Sequence, residues 1–153
     1  MIQAWNNEIT KRDLELLQQS VEERNIMEGS VLAEFESKMG ELLQMPYVIG
    51  TTSGSAALAL ALMAIGVKPG DEVIVPDLTF VATANAVCLL GAKVVLAPTE
   101  KSRPILDLEY IDALITEKTK AILTVDLNGR IAWSKELKER YSKKGIYVWK
   151  RGW

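Results

Sequence analysis

The start of the chain carries apolar side chains at helical spacing. Two segments show this spacing, residues 9–23 and residues 30–44. Their apolar positions are Leu14, Leu17, Val21, Val31, Phe35, Met39 and Leu42. Steps of three and four residues place side chains on one face of an α-helix. The pattern therefore predicts two amphipathic helices, with Ser30 as the N-cap of the second.

After residue 44 the pattern changes to short, continuous apolar runs. These runs are Tyr47–Ile49, Val73–Val75, Val94–Leu96, Ala121–Val125 and Ile146–Val148. Such runs fit strands that are buried on both faces. Helical patterns lie between them, at Ser55–Ile65, Thr79–Leu90, 108–114 and 133–141. The alternation predicts an α/β fold with a mostly parallel sheet and helices on both faces.

Two of these helices, Ser55–Ile65 and Thr79–Leu90, are apolar on nearly every side. A helix that covers a sheet at the surface of a domain normally keeps a polar outer face. We therefore expect another layer or another subunit to cover these two helices.

The composition is that of an ordinary globular domain. The chain has 153 residues, of which 48% are hydrophobic and 25% charged, and its net charge of −2 gives no basic footprint for nucleic acid. No apolar run approaches the roughly 20 residues that a membrane-spanning helix needs, and residues 1–7 do not resemble a secretion signal. We expect one cytoplasmic domain that binds neither nucleic acid nor membrane.

Histidine is absent and cysteine occurs once, at Cys88. These facts exclude Ser/His and Cys/His nucleophilic pairs, and they remove the usual zinc and transition-metal ligand sets. We predict no metal site, and we expect the apolar neighbours of Cys88 to bury its thiol. Any catalysis by this protein would therefore depend on a reactive group that the chain itself does not supply.

The sharpest local feature is the segment Gly50–Ala57, which leaves an apolar run, turns on small residues and enters an alanine-rich helix. Unpaired amides and a partial positive charge at a helix N-terminus favour anions, and glycine lets an anion approach the backbone. Serine also caps helices, so the segment alone fits either a structural cap or a phosphate site. It lacks the Gly-x-Gly-x-x-Gly and Walker patterns of dinucleotide and nucleoside-triphosphate sites.

Three motifs occur in order along the chain. They are Thr-Ser-Gly-Ser-Ala-Ala-Leu from Thr52, Gly-Val-Lys-Pro-Gly-Asp-Glu-Val-Ile-Val-Pro from Gly66, and Thr-Phe-Val-Ala-Thr-Ala-Asn-Ala from Thr79. Together with Val125–Gly129, they resemble the DegT/DnrJ/StrS-type nucleotide-sugar aminotransferases, which depend on pyridoxal phosphate. The resemblance spans roughly residues 9–148. It implies a pyridoxal-phosphate transferase of fold type I, with this chain as the N-terminal part of the large domain.

The resemblance also implies a cofactor site. The turn of Ser53, Gly54 and Ser55 would hold the cofactor phosphate. The ring of Phe80 would stack on the pyridine ring, although its own sequence context fits core packing as well. Three further residues would lie at the rim of the site, namely Asn85, Asp126 and Asn128. Asparagine in a helix or turn often bonds the local backbone instead, and many relatives carry histidine at the position of Asp126.

The implied activity is transfer of an amino group from an amino acid, typically glutamate, to a keto sugar attached to a nucleotide. Transamination needs a lysine that forms a Schiff base with the cofactor and an acid beside the pyridine nitrogen. The resemblance places both beyond the matching region, so we expect no catalytic residue within this chain. It also implies a homodimer, and exposed apolar faces would favour association as well.

The last five residues, 149–153, depart from the family pattern, with two tryptophans and two cations after an apolar run. Our hypothesis is a truncated product, in which residues 1–153 are a partial cofactor-binding domain without the C-terminal half of the family. A genuine short protein and one part of a split enzyme are the alternatives. The alternative function is an inactive remnant that only dimerises or binds a phosphorylated ligand.

Overall fold

The computed structural model describes residues 8–24, 29–132 and 135–151. The chain forms two compact units, which divide between Gly50 and Thr51. The first unit contains the helices α1 (Lys11–Glu22) and α2 (Ser30–Leu43). The second unit contains α3 (Gly54–Ala64), β1 (Glu72–Pro76), α4 (Ala82–Leu89), β2 (Lys93–Ala97), α5 (Leu108–Leu114), β3 (Thr119–Val125), a short 3-10 turn (Leu127–Gly129), α6 (Lys135–Ser142) and β4 (Tyr147–Arg151).

Reciprocal hydrogen bonds between Thr10 and Asp13 fix the start of α1. The Asp13 amide donates to Thr10 Oγ1 over 3.3 Å, and the Thr10 amide donates to the Asp13 carboxylate over 2.7 Å. This capping box satisfies two amides at the helix start. The predicted helix is confirmed, and its apolar residues Leu14, Leu17 and Val21 are exposed.

Two expectations for the first unit are wrong. The N-cap of α2 is Gly29, and Ser30 is the first helical residue. Residues 47–49 form no strand, and Tyr47 and Ile49 are 88% and 79% exposed. A short apolar run does not reveal whether a neighbouring strand pairs with it, so the sequence could not separate a strand from an extended connection.

The four strands of the second unit form one parallel sheet with the order β2-β1-β3-β4. Every residue of β1 is buried, and β3 is buried along nearly its whole length. Parallel strands need crossover connections, and α4, α5 and α6 lie in the three connections. The predicted α/β architecture is confirmed, with a sheet that is parallel throughout the described strands.

Alternate residues of the central strands face two separate apolar cores. Val73 and Val75 of β1 pack in one core with side chains of α3 and α4. Ile74, between them, packs in the other core with Ile111 of α5 and Tyr141 of α6. Successive side chains of a strand point to opposite faces, so both faces of this sheet need cover. The predicted placement of helices on both faces is confirmed.

The strand β4 continues past the predicted end of its apolar run at Val148. It pairs in parallel with β3 as far as Arg151, and the Trp149 carbonyl accepts a 3.2 Å hydrogen bond from the Thr124 hydroxyl. Residues 152–153 of the tail lie outside the described residues. Trp133, which was predicted to belong to the preceding helix, also lies outside them, and α6 begins at Lys135.

Cys88 is exposed on α4, so the expected buried thiol is wrong. The preceding residues Ala86 and Val87 are 4% and 0% exposed. Each residue turns an α-helix by about 100°, so apolar neighbours in the sequence do not share the face of Cys88.

No helix within residues 8–24, 29–132 and 135–151 is long and apolar enough to cross a membrane. The same part of the chain holds no group of three or more histidine, cysteine or acidic residues arranged to bind a metal ion.

Candidate cofactor site

The N-terminus of α3 is capped by Ser53. This residue has an extended backbone (φ −166°, ψ 160°), and its Oγ accepts a 3.2 Å hydrogen bond from the Ala56 amide. The Ala57 amide donates to the Ser53 carbonyl over 3.0 Å and begins the helical ladder. The amides of Gly54 and Ser55 therefore have no acceptor within the helix, and they carry the partial positive charge of its N-terminus. This helix end presents two main-chain donors to an anion.

The approach to this helix end is open. Ser53, Gly54 and Ser55 are all exposed. A Cβ atom added to Gly54 would meet no atom of the described fold within 4 Å beyond its chain neighbours and its own helix. An anion can therefore reach the two amides from solvent.

A short loop after β1 carries Phe80. The side chain is 52% exposed and belongs to neither apolar core, so Phe80 is not an ordinary core residue. Asp77 holds the start of this loop. Its amide donates to the Ala97 carbonyl over 2.8 Å, and its Oδ1 accepts a 3.0 Å hydrogen bond from the Thr99 amide.

One open groove of about 290 Å³ brings together Ser55, Phe80 and Asn85. The rest of its lining is apolar and comes from Val81, Ala82, Ala86 and Leu89. Neither α3 nor α4 contains a charged residue, and the α3 N-terminus carries a partial positive charge beside Ser55 of the groove. A small molecule with an anionic group and a flat apolar ring fits this arrangement.

Sequence reasoning missed the apolar wall of the groove. Val81, Asn85 and Leu89 follow one another at four-residue spacing, which places them on one face of a helix. Val81 and Leu89 are 60% and 75% exposed although they are apolar. The signal that could have found them is this spacing, followed from Asn85 in both directions.

Asp126 and Asn128 do not line this groove. Asp126 follows β3 and is 8% exposed; its Oδ1 accepts a 2.9 Å hydrogen bond from the Ala132 amide, and its Oδ2 lies 2.7 Å from Lys150 Nζ. The carboxylate therefore closes the turn after β3 and links it to β4, through a lysine that sequence reasoning missed. Asn128 is exposed, with left-handed backbone angles (φ 55°, ψ 35°) that asparagine tolerates better than most residues.

The strand order indicates that a ligand would bind at the carboxyl ends of the strands. β2 lies on one side of β1 and β3 lies on the other, so the connections leave in opposite directions between β1 and β3. In open parallel sheets, ligands bind outside the carboxyl ends of the strands at such a switch point. Phe80 follows the carboxyl end of β1, and Asp126 follows that of β3. The topology favours the edge that carries these two predicted residues.

The model of the DegT/DnrJ/EryC1/StrS aminotransferase family matches residues 7–150. The chain belongs to this family. Its match includes the α3 N-terminus, the Phe80 loop and the groove between them. The resemblance seen in the sequence motifs is confirmed, and the cofactor of the DegT/DnrJ/EryC1/StrS family is pyridoxal phosphate.

Curated relatives of the chain are named for reactions of nucleotide-linked sugars. GDP-perosamine synthase of Caulobacter vibrioides is 44% identical over 103 residues, which cover 67% of this chain and 28% of that protein. UDP-2-acetamido-2-deoxy-3-oxo-D-glucuronate aminotransferase of Pseudomonas aeruginosa is 41% identical over 120 residues, which cover 78% of this chain and 33% of that protein. The chain spans about a third of the length of these relatives.

A solved structure of the same fold contains the cofactor. NtdA of Bacillus subtilis with bound cofactor PMP matches with a TM-score of 0.84 and 32% identity, over 93% of this chain and 34% of that chain. PMP, pyridoxamine phosphate, is the amino form of pyridoxal phosphate. The predicted fold type is therefore confirmed for this DegT/DnrJ/EryC1/StrS chain.

Proposed function

We propose that this chain forms the phosphate-binding and ring-binding part of a pyridoxal-phosphate-dependent nucleotide-sugar aminotransferase. The observation that carries the proposal is the groove that joins Ser55 at the start of α3 with Phe80 after β1. The Gly54 and Ser55 amides, with the Ser53 and Ser55 hydroxyls, would hold the cofactor phosphate. Phe80 would contact the flat face of the ring. Bound pyridoxal phosphate supplies the electron-accepting ring that transamination requires.

The substrates of the proposed enzyme are an amino acid, with glutamate as the expected donor, and a keto sugar attached to a nucleotide. The names of the relatives, a GDP-perosamine synthase and a UDP-linked oxo-glucuronate aminotransferase, support this class. Asn85 lines the groove and would contact a polar edge of cofactor or substrate. Asp126, paired with Lys150, and Asn128 would lie at the rim. The proposed enzyme is a cytoplasmic homodimer.

The catalytic lysine and the acid beside the pyridine nitrogen are proposed to lie in the two thirds of the family's length that this chain does not span. In this view residues 1–153 are a partial cofactor-binding domain. A second candidate is a module that binds a phosphorylated ligand without transaminating it. Two observations support it. The Gly54 and Ser55 amides are available to a phosphate at the start of α3, and the chain spans about a third of the length of its relatives.

An absorbance titration of the purified chain with pyridoxal phosphate, with and without borohydride, tests the proposal. We expect saturable binding that inorganic phosphate displaces, and no stoichiometric adduct on one lysine after reduction. Binding that phosphate does not displace would contradict the proposed phosphate site at the start of α3. A stoichiometric adduct on one lysine would instead show that the chain supplies its own catalytic amine.

The variant Gly54→Pro tests the main-chain donor directly. Proline suits the first position of a helix, and the extended backbone of Ser53 tolerates a following proline, so the variant removes one amide donor and keeps the helix. We expect roughly tenfold weaker binding of pyridoxal phosphate, the worth of one charge-assisted hydrogen bond. The control is Leu108→Pro at the first position of α5, where Asp107 also has an extended backbone. Equal weakening in both variants would refute the assignment.

A further inference from the structure

One buried threonine holds the loop that carries Phe80. Thr83 is 0% exposed in the first turn of α4. Its hydroxyl oxygen lies 3.0 Å from the Thr79 hydroxyl oxygen, within hydrogen-bonding distance, and its amide donates to the Phe80 carbonyl over 3.0 Å. Phe80 and the residue directly before it are therefore both tied to Thr83.

The apolar side chains of this loop are about half exposed to solvent. Leu78, Phe80 and Val81 are 51%, 52% and 60% exposed. Hydrogen bonds hold the loop before Phe80, at Asp77 toward β2 and at Thr79 toward α4, and the Phe80 carbonyl accepts from the Thr83 amide. Polar contacts of Asp77, Thr79 and Thr83 therefore fix the path of the backbone that carries the Phe80 ring.

We infer that Thr83, acting through Thr79 and the loop backbone, is a positioning residue that fixes the Phe80 ring in the groove. The inference rests on the proposed function, which assigns Phe80 to the cofactor ring. Thr83 does not line the groove, so it acts on a ligand only through the loop. A ring that is already held in place loses less conformational freedom when a flat ligand binds, and this raises affinity.

The hydroxyl of Thr83 is the informative part of the side chain. Valine has nearly the same shape, and it would avoid the cost of burying a hydroxyl group. Thr83→Val therefore removes the tie to Thr79 while it keeps the volume, and Thr83→Ser restores the hydroxyl. A role in packing alone would favour the valine variant over the serine variant.

The first test follows the Phe80 ring without a ligand. The chain contains two phenylalanines, Phe35 and Phe80, so fluorine NMR of a chain labelled with 4-fluorophenylalanine gives two signals that Phe80→Leu assigns. We expect Thr83→Val to shift and broaden the Phe80 signal, and Thr83→Ser to retain its native position. The Phe35 signal, from the first unit, should stay unchanged. An unaltered Phe80 signal in Thr83→Val overturns the inference.

The second test measures ligand affinity in the same variants. We expect Thr83→Val to weaken pyridoxal phosphate binding roughly threefold to tenfold, the worth of one hydrogen bond, and to leave inorganic phosphate binding unchanged. The control is Thr124→Val, which removes another fully buried hydroxyl, bonded to the Trp149 carbonyl at β4. Equal weakening by the control overturns the positioning role. If the native chain binds no pyridoxal phosphate, the proposed function fails, whereas the fluorine signals still decide whether Thr83 positions Phe80.

Discussion

The two sides of the sheet bury similar residues but present different exteriors. On one side, α3 and α4 contain no charged residue, and Leu60, Met63 and Leu89 are 52%, 57% and 75% exposed. On the other side α6 is mostly charged, and Asp112 of α5 forms ion pairs with Arg140 and Lys144. The inward pattern of a helix determines the fold, whereas the outward pattern shows whether its exposed face is suited to water. The groove lies on the apolar side.

The largest expected effect separates the inner and outer faces of α3. Leu62 is 1% exposed in the core, and Leu60 is 52% exposed on the same helix. We expect Leu62→Ala to lower the free energy of unfolding by about 2–5 kcal/mol, because it leaves a cavity, and Leu60→Ala to lower it by less than about 1 kcal/mol. Urea unfolding of both variants measures the difference. Similar losses would mean that the outer face is also packed within a single chain.

The next prediction concerns what covers the apolar side. In the proposed homodimer, we expect a second copy of the chain to pack on this side. Burial of each exposed leucine there would stabilise the dimer by about 1.5–3 kcal/mol. The double variant Leu60→Lys with Met63→Lys should weaken self-association at least about tenfold in sedimentation velocity over a range of concentrations. Glu136→Lys on the charged helix α6 is the control, and it should leave association unchanged. A chain that is monomeric at every concentration would contradict the proposal.

Replacing a helix cap on either side of the sheet should have a smaller effect on stability, but only one of the two replacements should affect ligand binding. Ser53 caps α3 by accepting from the Ala56 amide, and Asp107 caps α5 by accepting from the Glu109 amide over 3.1 Å. Replacing either residue by alanine should cost about 1 kcal/mol of stability. Only Ser53→Ala should also weaken pyridoxal phosphate binding, measured by the same titration. Equal weakening by Asp107→Ala would show that binding depends on overall stability and not on the proposed phosphate site at the start of α3.

The smallest expected effect lies at the opposite edge of the sheet. The buried Glu72 carboxylate accepts hydrogen bonds from Lys93 Nζ over 2.8 Å and from the Thr116 hydroxyl over 2.7 Å. These bonds, with Lys93 as the largest cause and Thr116 next, lower the pKa of Glu72 below its ordinary value of 4.5. A lowered pKa means that the contribution to stability is complete above pH 4.5 and is lost as the pH falls through the folded-state pKa.

Glu72→Gln should therefore be less stable than the native chain at neutral pH, and the difference should shrink in acid. Thermal unfolding of both proteins between neutral pH and pH 3 measures it. Glu72 does not line the groove, so the variant should not change ligand binding. A stability difference that stays constant over this pH range would mean that the charge of Glu72 is not the cause.

Much of the fold could be predicted because burial leaves a direct trace in the sequence. The runs Val73–Val75 and Ala121–Val125 are apolar because helices cover both faces of the sheet. The run Tyr47–Ile49 is also apolar, but it pairs with no strand among the described residues, and pairing between distant segments leaves no local trace. Cys88 was misplaced for a related reason, because only the angle around α4 exposes it.

The site was less predictable than the fold. Ser55 and Phe80 were identified through the family resemblance, since each also fits an ordinary cap or core residue. The tie between Thr83 and Thr79 depends on the path of a loop, which no periodicity encodes. The pair of Asp126 and Lys150 depends on the parallel register of β3 and β4, which brings together residues far apart in the sequence.

The donors at the start of α3 have a consequence for how this protein can evolve. The amides of Gly54 and Ser55 belong to the main chain, so every amino acid except proline preserves them. The proposed contact of Phe80 with the cofactor ring, in contrast, depends on one side chain, so a single substitution can remove it. If the proposed function holds, substitutions in such a chain would remove the contact with the pyridine ring more readily than the main-chain donors to a phosphate. Descendants of such a chain would inherit a ready starting point for recognising other phosphorylated metabolites.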